Sequence, residues 1–524
     1  MIGRRQLPAG GWQLVLMRAT WTLMVALGLP AAVASAGSLP YAPALARCYD
    51  AILDARFDAA DAEIAQACGP APVEACELLR ATSLWWRIQL DPMNRSLDGE
   101  FRTKIDRVVE ATERWVGREP RRGDAWFFVG AAYGLRVQFR VLRGERVAAA
   151  RDGKRIKDAL ERALAQDPTL QDAYFGIGLY HYYADIAPAA LKLLRWMLLL
   201  PGGNRVQGLQ EMVRARDRGE LLRGEADFQL HLIYIWYERD ADQALKLLGG
   251  LRTRYPHNPL FLQAIADVQR VYLHDEAAAL DTWRALFNQA RQRRLSFPEM
   301  SEARARIGIG IELDALFETD SALEQFRLVA DAKPQAPYGA TALARLHLGM
   351  AYDRLGRRGE AVAAYQAALA AAPPDDPQGV RIAAREGLRR SPDARLAEAY
   401  RLSLDGWRHL QRGSIEAAAD SLGRSASINP TDPVTRFRLA SLNVQRQDTR
   451  TALAEFERLI ARRPMPPPTI LAASYLGAAR LVETSGDRAR AIDLYRRAST
   501  TRGADADTKL AASQALSRLG SNGQ

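Results

Sequence analysis

Cysteine and histidine are scarce in this sequence, which contains three Cys and six His among 524 residues. Three Cys cannot build a disulfide framework, and no pair of them has the spacing of zinc ligands. The patterns His-x3-His and His-Glu-x-x-His of metal sites and the nucleophile motif Gly-x-Ser-x-Gly are all missing. We therefore expect no cofactor, no metal site and no catalytic residue, and we predict that the chain is not an enzyme.

Lysine is also rare, because 65 of the 72 basic residues are Arg, and the formal net charge is +11. Such Arg-rich, Ala-rich usage follows from genome composition as easily as from function, so the charge alone does not indicate a nucleic-acid partner. Gly153-Lys154 lacks the rest of a phosphate-binding loop, since Arg155 stands where Ser or Thr is required. We predict that the chain binds no nucleic acid.

The first 36 residues have the pattern of an export signal. Arg4, Arg5 and Arg18 precede an apolar stretch at 19–33, and the small residues Ala-Ser-Ala end it at Ala36. The alternative is an uncleaved anchor, but the apolar run is shorter than the roughly 20 residues that a bilayer span needs. We predict cleavage near Ala36 and export of the mature chain, to the periplasm if the cell is Gram-negative.

Small and aromatic residues recur with a regular spacing in the second half of the chain, where strand signals are almost absent. The clearest set is Leu348, Gly349, Tyr352, Ala361, Tyr365, Ala368 and Pro373. The same register recurs at Gly310, Ala322, Phe326 and Pro334, at Gly406, Ala418, Leu422 and Pro430, and at Ala440, Ala452, Phe456 and Pro464. These offsets resemble the tetratricopeptide repeat, a helix pair whose two helices touch at small residues.

The resemblance covers most of residues 40–500 and implies an all-α fold, an α-solenoid or superhelix of stacked antiparallel helix pairs. The predicted organisation is a signal peptide (1–36), an irregular N-terminal half with insertions (37–295), a regular half (296–504), and a capping helix and tail (505–524). Bends are expected at 296–298 and in the Pro-rich stretch 373–392.

Two segments of the N-terminal half interrupt the regular spacing. The basic stretch 140–155 is interpreted as a solvated extension of a helix, with a docking surface for an acidic partner as the alternative. The stretch 186–200 is nearly apolar all round, so a helix there must be covered. It is either a core helix or a surface that contacts a partner or, peripherally, a membrane.

Aromatic and aliphatic residues cluster at helical spacing on three of the predicted first helices. In arrays of the resembled family this face lines a concave groove, which implies a partner-binding site. The implied residues are Phe127, Phe175, Leu179, Tyr182, Ile233, Trp236 and Tyr237. The alternative is that they fill the core between stacked helices.

Two further pairs admit a functional interpretation beside a structural one. His181 and Asp185 lie four residues apart on one helix face, which suits a structural hydrogen bond better than an acid/base pair. A sugar-binding platform is one interpretation of Trp85 and Trp86, which shortly precede Asp91. Their helical spacing favours packing between repeats instead.

Cys68 and Cys76 flank a turn, Gly69-Pro70-Ala71-Pro72, between two predicted helices. In an oxidising compartment this spacing allows a disulfide across the turn. Cys48 occupies a position where the repeat needs a small residue, so it is interpreted as a buried free thiol. A Cys48–Cys76 bridge stays open as an alternative.

Together these patterns predict an exported, non-catalytic scaffold of the cell envelope that binds a protein or peptide along its groove. The identity of the partner is not encoded in any motif. Two alternatives remain: an envelope-assembly factor that docks to a membrane through the apolar helix 186–200, and an enzyme with a pocket around 174–240.

Overall fold

The computed structural model of the chain describes residue 39 and residues 41–186, 202–390 and 392–521. The predicted signal peptide, its cleavage site near Ala36 and residues 187–200 of the apolar stretch lie outside the described residues. Within them the chain forms 24 α-helices and one turn of π-helix, with no β-strand. The predicted all-α fold is confirmed.

The helices run as follows: α1 Ala42–Leu53, α2 Phe57–Ala67, α3 Val73–Leu90, α4 Asp98–Arg118, α5 Gly123–Leu142, α6 Arg146–Gln166, α7 Ala173–Ile186, α8 Arg205–Arg218, α9 Arg223–Ile233, α10 Ala241–Arg254, α11 Pro259–Val271, α12 Glu276–Arg291, α13 Pro298–Ala315, α14 Thr319–Ala332, α15 Ala340–Arg354, α16 Arg358–Ala371, α17 Val380–Arg389, α18 Ala394–Gln411, α19 Ile415–Ile428, α20 Pro433–Gln445, α21 Thr449–Ala461, α22 Pro468–Thr484, α23 Arg488–Thr500 and α24 Ala506–Ser521. The π-helical turn, Tyr234–Glu238, follows α9 directly.

Consecutive helices pack as pairs, from α1 with α2 to α15 with α16, and from α18 with α19 to α22 with α23. Each pair also packs on the next one, so the pairs form a continuous stack. α24 packs against α23 at the end of this stack. An array of this kind buries its apolar surface only through neighbours, so every pair depends on the pairs beside it.

Close contact inside the pairs explains the small residues of the sequence pattern. A Cβ atom at Gly310 would lie 2.5 Å from the Phe326 ring, and one at Gly406 would lie 2.6 Å from Leu422. Gly349 stands against Tyr365 in the same way. The predicted register therefore corresponds to real helix-to-helix contacts, and larger side chains would force the two helices apart.

Helix starts are set locally by capping side chains. The carboxylates of six Asp residues accept hydrogen bonds from backbone N–H groups of the first helical turn. These residues are Asp240, Asp275, Asp393, Asp432, Asp448 and Asp487. The short turns between paired helices contain glycines with positive φ, such as Gly356 and Gly413.

The basic stretch 140–155 lengthens α5 and α6 to 20 and 21 residues, as the helix-extension interpretation expected. Arg136 donates to both carboxylate oxygens of Asp152, at 2.8 and 3.0 Å, and Arg140 pairs with the same carboxylate. Arg143 forms a two-bond contact with Asp98, with both distances at 2.7 Å. These bases are therefore neutralised within the protein and hold the long helices together.

The Pro-rich stretch 373–392, where a bend was expected, contains α17, a helix without a partner helix of its own. Its Gly387 lies against the Tyr365 ring. Past this extra helix, α18 packs against the α13–α14 turn, where the hydroxyls of Thr319 and Tyr400 lie 2.8 Å apart. The unpaired helix thus brings elements together that are not neighbours in the stack.

The N-terminal helices α1–α3 lie inside the first part of the superhelix. Tyr49 of α1 donates to Glu225 of α9 at 3.0 Å, and Tyr255 donates to Asp50 at 2.7 Å. Farther along, Arg304 of α13 donates to the carbonyl oxygen of Leu90 at 2.8 Å. These contacts join residues about 200 positions apart and place α3 against the first helices of successive pairs.

Candidate functional site

The interior of the N-terminal half is filled by the two adjacent tryptophans of α3. The ring of Trp85 lies 5.9 Å from Phe101, and the ring of Trp86 lies 5.0 Å from Phe228 and 6.3 Å from Phe261. Both Trp side chains are buried. They pack between helices, as the sequence favoured, and they leave no exposed platform for a sugar.

Polar side chains close this interior instead of opening it to a ligand. Glu225 is buried and accepts hydrogen bonds from Tyr49, Gln138 and Gln229, at 3.0, 3.2 and 3.1 Å. Burial raises the pKa of the Glu225 carboxyl, because it disfavours the charged form. The three donors that bind this carboxyl are themselves uncharged. His257 pairs with Asp54 at 2.8 Å. The first turn of the superhelix is therefore a closed core.

The residues expected to line a groove fall into two sets. Phe127, Phe175, Tyr182 and Ile233 are buried, and Leu179 packs on the cluster that contains Tyr182. The two others, Trp236 and Tyr237 in the π-helical turn, are exposed by 56% and 44%. Helices of this half are apolar on more than one side. Residue spacing alone therefore could not distinguish a face that packs on the next helix pair from a face that lines a groove. For the four buried residues the structure corresponds to the core alternative.

Two of the exposed aromatic residues lie where the end of α7 meets the π-helical turn. Tyr183 of α7 and Tyr237 lie 5.7 Å apart, ring centre to ring centre, with Tyr182 in edge contact with both. The Tyr182 hydroxyl donates to Glu238, which also pairs with Arg205 of α8. This group of side chains joins the end of α7, the start of α8 and the π-helical turn.

His181 and Asp185 are each held by a different partner. His181 Nδ1 lies 2.7 Å from a carboxylate oxygen of Glu211, and Asp185 accepts from the backbone N–H of Arg205 at 2.9 Å. The expected hydrogen bond between His181 and Asp185 is thus replaced by two bonds to α8. Sequence spacing suggested the pair because it records only contacts within one helix, whereas the closest partners came from the neighbouring helix.

The C-terminal half presents aromatic and basic side chains on its first helices, and these residues were not singled out by the sequence. Trp407 of α18 and Phe437 of α20 are partly buried, with ring centres 6.1 Å apart. The Arg354 guanidinium lies 5.8 Å from the ring of Tyr400. Met350 of α15 and Val444 of α20 are exposed by 41% and 40%. One sequence signal could have indicated this surface. Its aromatic residues lie on first helices, away from the small residues at which paired helices touch.

Buried charges concentrate where the two halves join. Glu312 of α13 is fully buried, and Arg270 of α11 is its ion-pair partner at 3.4 Å. Burial raises the pKa of Glu312 to about 7, and burial lowers the pKa of His347 to about 4. His347 stacks on Phe326 with ring centres 5.2 Å apart. At neutral pH this joint holds a neutral imidazole and a carboxyl close to its titration midpoint.

Within 174–240, the region of the alternative pocket, the most strongly perturbed histidine belongs to the core. His231 is buried beside Phe228, with ring centres 4.8 Å apart, and burial lowers its pKa to about 4. Among the described residues, no group of three or more His, Cys, Asp or Glu side chains is placed to hold a metal ion. No described helix is long and apolar enough to cross a membrane.

The cysteines of the N-terminal half adopt one of the pairings that the sequence allowed. Cys68 and Cys76 form a disulfide that joins the end of α2 to the start of α3, with Cα atoms 5.9 Å apart. Cys48 is a free, buried thiol in α1, and burial raises its pKa to about 11. A buried thiol of this kind is inert as a nucleophile.

The helix pair α15–α16 shows the type of repeat most clearly. Residues 342–375, which span this pair, match the model of the tetratricopeptide repeat. The chain contains a tetratricopeptide repeat. Its other helix pairs repeat the same contact between a small residue and a facing side chain, at Gly310 and Gly406. Tetratricopeptide arrays generally serve as scaffolds for protein interactions, and this chain has their architecture.

Solved structures that are similar to this protein are also tetratricopeptide arrays or related helical proteins. A tetratricopeptide repeat protein from Parabacteroides merdae is 16% identical over 56% of this chain and 98% of its own, with a TM-score of 0.27. The Rap protein complexed with Competence and Sporulation Factor is 13% identical over 91% and 99%, with a TM-score of 0.31. The TPR2AB domain of yeast Sti1, in complex with pHSP90, is 14% identical over 57% and 96%, with a TM-score of 0.22. With TM-scores this low, the likenesses carry no argument about partners, and no curated protein matches the chain.

Proposed function

We propose that this protein is an exported, non-catalytic scaffold that binds a polypeptide partner on the first helices of its C-terminal half. The observation that carries the proposal is the contrast in exposure between the two halves. In the N-terminal half Trp86 and its neighbours close the interior, whereas Met350, Trp407 and Val444 keep exposed surface. Aromatic and aliphatic side chains on rigid helices are suited to bind an extended segment or a helix.

Site-specific photo-crosslinking tests this assignment. A benzophenone amino acid at Met350 or Val444 is expected to capture the partner, because both side chains project from first helices. The matched control is Leu328 on α14, a second helix, which is exposed by 44% and should capture little. Equal capture at all three positions would show that the first helices are not the binding surface.

Export is proposed from the pattern of the first 36 residues. The disulfide Cys68–Cys76 supports it, because structural disulfides persist in oxidising compartments. N-terminal sequencing of protein from the periplasmic fraction should begin directly after Ala36. A chain that retains Arg4 and Arg5 in the membrane fraction would contradict cleavage and leave an anchored protein.

Peripheral docking to a membrane is a second candidate function, favoured by one observation. Tyr183, which closely precedes the apolar stretch 186–200 in the sequence, is exposed and contacts Tyr237, and both Tyr237 and its neighbour Trp236 are exposed as well. Aromatic rings of this kind are common at the level of lipid headgroups. Liposome flotation should then depend on Trp236 and Tyr237, and a protein that never floats with liposomes removes this candidate.

A further inference from the structure

Arg438 of α20 is a buried cation without a carboxylate partner. The residue is 5% exposed, and among the described residues no carboxylate oxygen lies within 4.0 Å of its guanidinium. Arg143, which is also well buried, is paired with Asp98 at 2.7 Å. An isolated charge is costly to remove from water, so an unpaired guanidinium at this depth calls for an anion.

The hydrogen bonds of Arg438 leave most of its donors available. Nη1 donates to the hydroxyl oxygen of Ser403 at 2.9 Å, and Nη2 makes a weak bond of 3.4 Å to the carbonyl oxygen of Phe317. A guanidinium has five N–H donors in a fixed fork, so three remain. When Thr435 donates its one hydroxyl hydrogen to Ser403 at 2.9 Å and not to Asp432 at 2.7 Å, the Ser403 hydroxyl hydrogen is free to donate.

More distant charged side chains act on Arg438 in both directions, since Asp432 and Glu318 favour its charged form and Arg408 opposes it. Arg408 is itself paired with Asp405 and Asp320. Burial lowers the pKa of Arg438 to about 10, so the guanidinium still carries its charge at neutral pH. Its centre lies 5.7 Å from the ring of Trp407, which makes the indole a local reporter.

We propose that Arg438 and Ser403 hold a compact oxyanion, a phosphate or a carboxylate, where α18, α20 and the turn between α13 and α14 meet. α18 and α20 belong to neighbouring pairs, whereas the turn, which contains Phe317, is distant from both in the stack. A bound oxyanion would accept hydrogen bonds from the remaining N–H groups of Arg438 and from the Ser403 hydroxyl. It would therefore stabilise the fold-back that follows α17, independently of any partner on the first helices.

Thermal unfolding of the full mature chain tests the site, with sodium phosphate, sodium acetate and sodium chloride compared at equal ionic strength. We expect phosphate or acetate to raise the Tm saturably above the chloride value, with a matching change in tryptophan fluorescence. Arg438→Met should abolish the response. Arg401→Gln, which removes the same charge from the exposed face of α18, should keep it.

A second measurement separates binding from a structural role of Arg438. If the guanidinium is unpaired until an oxyanion binds, Arg438→Met should raise the Tm in chloride, because the substitution removes an unpaired buried charge. Arg438→Lys keeps the charge but loses the fork, and we expect at least tenfold weaker half-saturation. A lower Tm of Arg438→Met in chloride, a response that survives in Arg438→Met, or a wild-type response equal to chloride would overturn the proposal.

The source of the oxyanion is resolved by comparing the probes. Saturation by phosphate but not acetate indicates a free phosphate ligand, and the reverse indicates a carboxylate. A capped Ala-rich peptide with one Glu, compared with the same peptide carrying Gln, then tests whether that carboxylate can come from a polypeptide. All of these outcomes support an oxyanion site, since each requires Arg438.

Discussion

The two halves of this protein use the same helix pair for opposite purposes. In the N-terminal half the first helices close around α3, so that Trp85, Trp86 and their aromatic neighbours form a core. In the C-terminal half Trp407 and Phe437 lie on first helices and keep part of their surface exposed. The helix pair itself therefore does not determine a function. Whether its first helix belongs to the core or to the surface depends on what packs against that helix.

The halves also differ in how they turn. The N-terminal half turns around its own first three helices, whereas the C-terminal half is redirected by the unpaired helix α17. A largely buried guanidinium marks both places: Arg304 pairs with Asp91 at the end of α3, and Arg438 donates to Ser403 of α18. Polar contacts between distant elements therefore occur where the regular stacking of pairs is interrupted.

The largest expected effect is the loss of the packed interior of the N-terminal half. Trp86→Ala removes a fully buried indole that contacts Phe228 and Phe261, and should destabilise the fold by about 3–5 kcal/mol. Trp407→Ala is the matched change in the other half and should cost clearly less, because that indole is only partly buried. Urea denaturation of both variants makes the comparison, and equal losses would show that the C-terminal surface is also core.

The joint between the halves should make stability depend on pH through Glu312. Burial raises its pKa from 4.5 to about 7, so between these values the folded protein keeps a proton that the unfolded chain has released. Stability from this group is greatest below pH 4.5 and falls as the pH rises toward 7, by up to about 3 kcal/mol. The Arg270 guanidinium at 3.4 Å opposes this shift, while Glu276 and Asp267 add to it.

Glu312→Gln removes the ionisable group and should flatten this part of the pH profile. Unfolding free energies of wild type and variant, measured from pH 4.5 to 8, provide the test. Parallel profiles would mean that folding does not raise the pKa of Glu312.

Close contact of helices in the regular half is tested by two glycines. Gly349→Ala places a methyl group against the Tyr365 ring and should destabilise the protein by about 1–3 kcal/mol. Gly423→Ala on α19 meets open space, so it should stabilise the helix by about 0.5–1 kcal/mol. Thermal unfolding should move in opposite directions for the two variants, and a shared direction would contradict the packing explanation.

The smallest expected effect concerns the contact between the C-terminal end of the stack and α10. Arg502, in the turn before α24, reaches Asp242 of α10 at 3.1 Å, and both side chains are mostly exposed. Asp242→Asn should change the stability by about 0.5 kcal/mol or less, since exposed ion pairs contribute little. A change above about 2 kcal/mol in calorimetry would indicate that this contact holds the superhelix closed.

Sequence reasoning succeeded where contacts are local. The contact of Gly349 with Tyr365 joins positions 16 residues apart in one helix pair, and the same offset recurs at Gly310 and Gly406. Asp residues at helix starts and the turn between Cys68 and Cys76 are local in the same sense. Such features are read from spacing, because one or two helices are enough to form them.

The candidate site was predicted less well, for a physical reason. Phe175, Tyr182 and Ile233 were placed on a groove because they share a helix face, yet that face packs on the next pair. Periodicity identifies an apolar face but does not identify what covers it. Aromatic residues on the first helices of the C-terminal half are not clustered in the sequence as they are in the N-terminal half. Trp407 and Phe437 were therefore not predicted as site residues.

The sequence by itself determined that the chain forms helices, that they pair with a period set by small residues, and that the pairs stack. Each of these depends on interactions within about 40 residues, which a repeating pattern records directly. Only the tertiary structure decided that α1–α3 lie inside the array, through bonds such as Tyr49–Glu225, which span 176 positions. It also left Arg438 without a described carboxylate oxygen within 4.0 Å of its guanidinium. Neither outcome follows from a local pattern, because burial and charge balance depend on every element that arrives at a site.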